Sequence, residues 1–253
     1  MTDGRRPRVR IDDHDGVAVL TLDDGPVNAL NVDLLADLEA ATRQVADADA
    51  VVLTAEGHVF CAGADLRRLT AEPPEHTALF MEAVECSFRL LLELSRPVVA
   101  AINGHAIAGG CVLACCSDRR LMGGGTIGLA EVSVGLPFPA VGVEALSWAA
   151  PTCMVDLSLT GRLMSSTEAA AVGLINAAVP SDDLLAEALR EASTLGRLPR
   201  DGYARIKRQL QCTALRGARD VRHLQHEVVE AWTSAPGRAA MKAQLDRIDR
   251  LHR

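Results

Sequence analysis

Aromatic side chains are scarce in this chain, where they make up 3% of the 253 residues. Hydrophobic residues nevertheless account for 49% of the sequence, so the interior has to be built from aliphatic and alanine side chains. A chain of this length can bury a substantial core, as one large or two smaller globular units. The composition therefore indicates a folded protein with few rings in its core.

An excess of positive charge is also missing, since the formal net charge is −7 and the isoelectric point is about 5.5. Nucleic acids are bound by clustered basic surfaces, so this balance argues against a nucleic-acid partner, although a local basic cluster remains compatible with a small phosphorylated ligand. No apolar run reaches the roughly 18 residues of a membrane span, and no secretory hydrophobic segment opens the chain. We therefore expect a soluble cytoplasmic protein without a membrane partner.

Several motifs of common enzyme classes are absent as well. The sequence has no GxSxG nucleophile elbow, no GxxxxGK[ST] phosphate loop and no HExxH metal site. Its seven cysteines lack the paired spacing of a zinc or redox site, and we interpret them as buried small hydrophobes. They are Cys61, Cys86, Cys111, Cys115, Cys116, Cys153 and Cys212. No metal site is therefore predicted.

The hydrophobic pattern changes along the chain. β-Branched apolar runs at 8–13, 16–24, 50–55 and 97–102 predict strands, and residues 31–48, 74–95 and 110–117 have helical spacing. From Ser165 onward the pattern is predominantly helical. This order predicts an α/β core with crossover connections, followed by a helical region, and we place the boundary between residues 195 and 196.

Two glycine- and alanine-rich segments, FCAGADLRRL at 60–69 and AINGHAIAGGCVLACC at 101–116, each lead from a strand-like run into a helical one. At such turns the backbone N–H groups near Ala64 and Gly109 are left without helical acceptors. Small residues let a substrate carbonyl approach the backbone, and two such donors can hold one developing oxyanion. The pair predicts chemistry at a carbonyl group.

These two segments resemble the paired signatures of the enoyl-CoA hydratase/isomerase (crotonase) superfamily. The resemblance continues through GPVNALN at 25–31, AEVSVGLPFPAVG at 130–142 and LTGRLMSSTEAAAVGLINAAVP at 159–180, and it covers most of residues 8–210. It implies a crotonase-like spiral of ββα units in residues 1–195. It also implies a C-terminal helical trimerisation region in residues 196–253, and a homotrimer or a hexamer.

The resemblance further implies an acyl-CoA thioester substrate, with coenzyme A as part of that substrate and no tightly bound cofactor. The oxyanion donors would be the amides of Ala64 and Gly109. Implied substrate-binding residues are Ala62, Gly63, Asp65, Leu66, Arg67, Gly110 and Val112, and implied coenzyme A-binding residues are Val27, Ala29 and Arg68. Arg67 and Arg68 would donate to phosphate, or else lie on a solvated helix face.

The acid/base residues depart from the family's hydratase pattern. In a two-glutamate hydratase a glutamate follows the Gly-Gly-Cys segment, whereas here Val112 follows Cys111. The second family glutamate matches Glu131, whose apolar neighbours favour a raised pKa. One base suffices to move a double bond, so we predict an isomerase-type proton transfer rather than hydration.

Glu144 leaves an alternative open. It either substitutes for the missing glutamate or lies on a helix surface, and we favour the helix surface. A hydratase with a replaced second acid/base and a catalytically weak acyl-CoA-binding subunit therefore remain alternative functions. Asp65 is interpreted as a helix cap, His105 as a packing or pocket-wall residue and Trp232 as a packing residue.

Overall fold

The computed structural model describes residues 6–251, apart from the side chains at 213, 214, 217–219, 221 and 251. Its strands are Val9–His14 (β1), Val17–Leu22 (β2), Ala50–Ala55 (β3), Val59–Cys61 (β4), Val98–Ile102 (β5), His105–Ile107 (β6), Arg119–Met122 (β7), Thr126–Gly128 (β8), Leu163–Ser165 (β9) and Ala177–Ala178 (β10).

The helices are Val32–Gln44 (α1), Leu66–Ala71 (α2), Pro74–Leu92 (α3), Gly109–Cys115 (α4), Glu131–Val134 (α5), Ala140–Ala149 (α6), Met154–Thr160 (α7), Ser166–Ala171 (α8), Leu184–Gly196 (α9), Arg200–Asp220 (α10), Gln225–Thr233 (α11) and Ala235–Leu251 (α12). Short 3₁₀ turns occupy Ser181–Asp183 and Val221–Leu224. Among the residues described, no helix is both long enough and apolar enough to cross a bilayer.

The larger sheet has the strand order β1-β2-β3-β5-β7-β10, and all of its pairs are parallel except β1 with β2. Every residue of β2 and β3 is buried, as expected for parallel strands that are covered on both faces. Alternate residues point to opposite faces: Leu20 and Leu53 enter the main core, whereas Val19 and Val52 pack against α9.

A second sheet, with the order β4-β6-β8-β9, is formed from much shorter strands. Each turn of the chain adds one strand to the larger sheet and the next to the smaller one, as β3 and β4, β5 and β6, and β7 and β8 do in succession. A helix follows each pair, which gives a spiral of ββα units. The predicted α/β core followed by a helical region is therefore confirmed.

The last three helices pack back onto the core, with α10 against α6, α11 against α3 and α12 against α2. The boundary at 195/196 and the trimerisation role of residues 196–253 stay predictions. The prediction that every cysteine is buried is wrong at Cys86 and Cys212, which are exposed, while the other five are buried. Cys86 lies on the outer face of α3, because helical spacing places it one turn after the exposed Glu82.

Candidate active site

The first small-residue turn connects β4 to α2 and is held by the segment before α1. Leu30 donates its N–H to Gly63 O at 2.8 Å, and Asp65 donates to Leu30 O at 2.9 Å. In a parallel bridge of this kind, between Leu30 and Ala64, the N–H of Ala64 points to the opposite side. Asp65 caps α2 by accepting from Arg68 N at 3.0 Å, which confirms its interpretation as a helix cap.

The second turn connects β6 to α4 through Ala108, whose φ is +54°. Ala108 N donates to Gly128 O at 2.8 Å, and Ala108 O accepts from Cys111 N at 2.9 Å. Gly109 is the first residue of α4, so its N–H has no acceptor within the helix. Within residues 6–251, neither the Ala64 nor the Gly109 amide donates to a protein acceptor.

The two turns are in direct contact. A Cβ on Gly63 would lie 2.9 Å from Ile107 O and 3.3 Å from Gly109 N, and a Cβ on Gly110 would lie 2.1 Å from Cys61 O. Gly63 also has a φ of +84°, which a side chain would strain. Glycine at positions 63 and 110 is therefore required for the close approach of the two turns.

Ala64 and Gly109 both line a cavity of about 440 Å³. Residues predicted for substrate or coenzyme A that line it are Val27, Ala29, Ala62, Asp65, Leu66, Arg67 and Val112. Glu131 lines it as well, whereas Gly63, Gly110, Arg68 and Glu144 do not. Most of the lining is apolar, and no group of three or more His, Cys, Asp or Glu side chains in the described part of the chain could hold a metal ion.

Glu131 is the first residue of α5. Its side chain is partly exposed as a whole, but Oε2 is buried and, among the described residues, has no hydrogen-bond partner. Desolvation raises the pKa of Glu131 from 4.5 to about 7, against the opposing effect of the backbone N–H groups of Glu131 and Ala130. A carboxyl group in this state can both accept and return a proton near neutral pH.

Glu144 is placed differently, and the interpretation of it as a helix-surface residue is wrong. Its side chain is 0% exposed, and it lies on the side of α6 that faces α3. Oε2 accepts from the guanidinium of Arg89, and Oε1 accepts from Arg222 at 3.0 Å. Arginine therefore binds both oxygens of Glu144, and the residue lies outside the cavity lining.

The two predicted phosphate-binding arginines also differ. Arg67 lines the cavity and forms an ion pair with Asp249 of α12 at 2.7 Å. Arg68 is outside the lining and pairs with Asp33 at 2.9 Å. His105 lines the cavity, as expected of a pocket-wall residue, and its Nδ1 accepts from Thr126 N at 3.2 Å.

A large part of the cavity wall comes from α3, α11 and α12. Phe80, Met81, Val84 and Phe88 of α3 line the cavity, together with Trp232 and with Gln244, Leu245 and Ile248 of α12. Trp232 was interpreted as a packing residue, and it does pack against Phe80 with ring centroids 6.4 Å apart. The helical spacing of these residues marks them as inward-facing, but it does not distinguish a cavity wall from a solid core.

The family model for enoyl-CoA hydratase/isomerase matches residues 12–245. The chain belongs to the enoyl-CoA hydratase/isomerase family. It is 28% identical over 246 residues to a probable enoyl-CoA hydratase of Mycobacterium leprae, covering 92% of this chain and 93% of that one. It is 32% identical over 184 residues to the mitochondrial enoyl-CoA delta isomerase 1 of Mus musculus, covering 68% and 63%.

Among solved structures, the chain is similar to human mitochondrial delta3-delta2-enoyl-CoA isomerase, with a TM-score of 0.86 and 25% identity over 96% of this chain and 98% of that one. The chain therefore matches relatives that are named hydratases and relatives that are named isomerases. Overall similarity does not distinguish hydration from double-bond migration, so the distinction depends on the residues around Glu131.

Proposed function

We propose that the protein is an enoyl-CoA isomerase-type enzyme that moves a double bond from the 3,4 to the 2,3 position of an acyl-CoA thioester with a single glutamate. The observation that carries this proposal is that Glu131 and Val112 line the same cavity. Val112 stands where the family's two-glutamate hydratases have a carboxylate, and valine can neither donate nor accept a proton.

The proposed reaction begins with the thioester carbonyl oxygen at the N–H groups of Ala64 and Gly109. Ionised Glu131 removes a proton from the α-carbon, the electron pair of that C–H bond moves into a dienolate, and the negative charge collects on the thioester oxygen. The same carboxyl group then returns the proton to the γ-carbon, so that no other reactant is needed. In a studied oxyanion hole, loss of one donor costs roughly 2.7–4 kcal/mol of transition-state stabilisation.

The environment of Glu131 supports this role. A general base works best when its pKa lies near the working pH, and burial raises the pKa of Glu131 to about 7. Val112, Val134 and Leu136 add apolar surface to the cavity that Glu131 lines. An apolar wall of this kind offers no hydrogen bond to a water molecule, which hydration would require.

Coenzyme A is proposed to be the carrier of the acyl group in the substrate and not a bound cofactor. We propose Arg67 as the arginine that binds a phosphate, because it lines the cavity and its ion pair with Asp249 is largely solvent-exposed. Val27 and Ala29 line the same side and would contact the carrier. Arg68, which is bound to Asp33, would reach a phosphate only after exchanging that partner. A homotrimer or hexamer remains a prediction from the family, and a cytoplasmic location remains a prediction from the sequence.

The names of the hydratase relatives favour a second candidate, hydration by Glu131 with another acid/base group. The position of Glu144 argues against it, since both of its oxygens are bound by arginine. Acyl-CoA binding without catalysis is the third candidate.

A matched assay separates these functions. Purified protein is incubated with a 2-enoyl-CoA and a 3-enoyl-CoA of equal chain length, and hydration is followed by mass while double-bond migration is followed by absorbance. We expect migration without hydration. Hydration at a comparable rate would contradict the one-base proposal, and binding without either reaction would favour the binding role.

A further inference from the structure

The segment of residues 136–141 connects the helix of Glu131 to α6 and forms part of the cavity wall. Leu136 and Pro139 line the cavity directly. The N-terminus of α6 follows Pro139, which supplies no side-chain cap. The first N–H groups of α6 therefore need acceptors from elsewhere in the chain.

Two other helices bind the 136–141 segment at three backbone atoms. Trp232 Nε1 donates to Pro137 O at 2.9 Å, and Gln225 Oε1 accepts from Ala140 N at 3.0 Å, both from α11. Glu85 Oε1, on α3, accepts from Val141 N at 2.9 Å. Glu85 therefore serves as a cap for α6 from a distant part of the chain, and its negative charge lies at the positive end of that helix.

The orientation of Glu85 is fixed in turn by an ion-pair cluster. Glu85 Oε2 pairs with Arg89 at 2.6 Å, Arg89 also pairs with Glu144 on α6, and Glu144 pairs with Arg222 at 3.0 Å. We call Glu85, Arg89, Glu144 and Arg222 the clamp cluster. Two carboxylates and two guanidiniums make it neutral, and it joins α3 to α6 twice, through Val141 N and through Glu144.

Helix α3 carries the cavity wall and the clamp cluster on adjacent faces. Val84 and Phe88 line the cavity, and the next residues along the helix, Glu85 and Arg89, belong to the cluster. A shift of α6 against α3 therefore changes the width of the cavity that Glu131 also lines. Placement errors of about 1 Å can lower a rate by about 100-fold.

We propose that Glu85 is a positioning residue for the reaction at Glu131: by capping α6 and holding the clamp cluster, it keeps the 136–141 segment closed over the catalytic carboxyl group and excludes water from it. This inference rests on the proposed function. Glu85 does not line the cavity and acts through Val141 and Arg89.

The test compares Glu85→Ala with Glu85→Gln and with a control, Glu82→Ala. Glutamine retains a carbonyl oxygen for Val141 N. Glu82 lies on the exposed face of the same helix, so its removal matches the change in charge and in helix composition without touching the cluster. Other titratable groups near Glu131 stay unchanged in all three variants: Asp65, Arg67 and His105 line the cavity, and Cys111 lies close enough to interact electrostatically with Glu131.

For Glu85→Ala we expect kcat for double-bond migration to fall by at least about 10-fold while KM changes less than about threefold. Water admitted beside Glu131 should lower its NMR titration midpoint and raise the share of hydrated product. Glu85→Gln should recover most of kcat, and Glu82→Ala should match the wild type. A melting temperature that falls while kcat and the titration midpoint stay unchanged would reduce Glu85 to a structural residue and overturn the inference.

The two proposals fail in different ways. A wild-type protein that neither isomerises nor hydrates would remove the proposed function, and the NMR titration, which needs no turnover, would then decide alone whether Glu85 keeps water from Glu131. If the wild type is active, and Glu85→Ala matches Glu82→Ala in kcat and in the titration midpoint of Glu131, only the role of Glu85 is contradicted.

Discussion

Glu131 and Glu144 are two carboxylates on neighbouring helices, and their surroundings differ in nearly every respect. One oxygen of Glu131 is buried without a partner among the described residues, and desolvation raises the pKa of its carboxyl group to about 7. Glu144 is completely buried, yet arginine binds both of its oxygens. Burial alone therefore does not identify an acid/base residue. A carboxylate becomes available for proton transfer where the fold leaves it without counter-charges.

Removing the carboxylate of Glu131 should have the largest effect on catalysis. Glu131→Gln keeps the size of the side chain but removes the base, so we expect kcat for double-bond migration to fall by about 10²- to 10⁴-fold. Binding of a saturated acyl-CoA, measured by calorimetry, should change little because the Ala64 and Gly109 amides remain. Unchanged turnover would transfer the base role to another residue and remove the contrast with Glu144.

Removing the carboxylate of Glu144 should have the largest effect on stability. Glu144→Ala removes a completely buried carboxylate that two partly exposed arginines share, and the loss of both charged hydrogen bonds should lower the free energy of unfolding by about 3 kcal/mol. Urea unfolding measures this change, with Glu82→Ala expected to lie within about 0.5 kcal/mol of the wild type. A loss equal to that of the control would mean that the arginine pairs contribute nothing net.

Glu131→Gln should, in contrast, stabilise the protein, and increasingly so as the pH rises. The pKa of Glu131 is about 7 in the folded state and 4.5 ordinarily, so between these values the folded state binds more protons than the unfolded one. The wild type therefore loses stability as the pH rises from 4.5 to 7, by up to about 3 kcal/mol. Glutamine has no such dependence, and the difference between the two unfolding free energies should grow across this window.

Urea unfolding of both proteins at several pH values measures this difference. A difference that is constant with pH would mean that the carboxyl group of Glu131 titrates normally in the folded state. The opposite slope would mean that a counter-charge stabilises its ionised form, as the arginines do for Glu144.

Much of the fold could be predicted because its signals are local. The buried runs that form β2, β3 and β5 are continuous and β-branched, and α1 and α3 have clear helical spacing. The second sheet escaped prediction because strands of three residues, such as β4 and β6, are too short to show any periodicity. Their pairing depends on the spiral, which is a property of the whole chain.

The features of the candidate site also differ in whether the sequence predicts them. The small residues around Ala64 and Gly109 and the presence of valine at position 112 can be identified directly from the sequence. The state of Glu144 cannot, because its partners Arg89 and Arg222 lie 55 and 78 residues away along the chain. The cavity wall of α3, α11 and α12 likewise depends on how the last helices pack back onto the core.

A second carboxylate placed opposite Glu131 would test whether Val112 sets the reaction, and here we expect the smallest effect. Val112→Glu restores the residue that the family's hydratases have at this position, in a side chain that is 2% exposed and borders the cavity. Two carboxylates can hold a water molecule between them, so hydration of 2-enoyl-CoA should rise by about 10-fold over the wild type, which corresponds to about 1.4 kcal/mol. The new charge should also raise the pH at which activity reaches half its maximum, because like charges disfavour ionisation of Glu131.

Val112→Gln is the matched control, since it adds a similar volume without charge and should gain neither hydration nor the pH shift. A contrary result would be a pH shift in Val112→Glu without any increase in hydration. It would show that the wall formed by residues 136–141 excludes water on its own, and that Val112 does not decide between the two reactions.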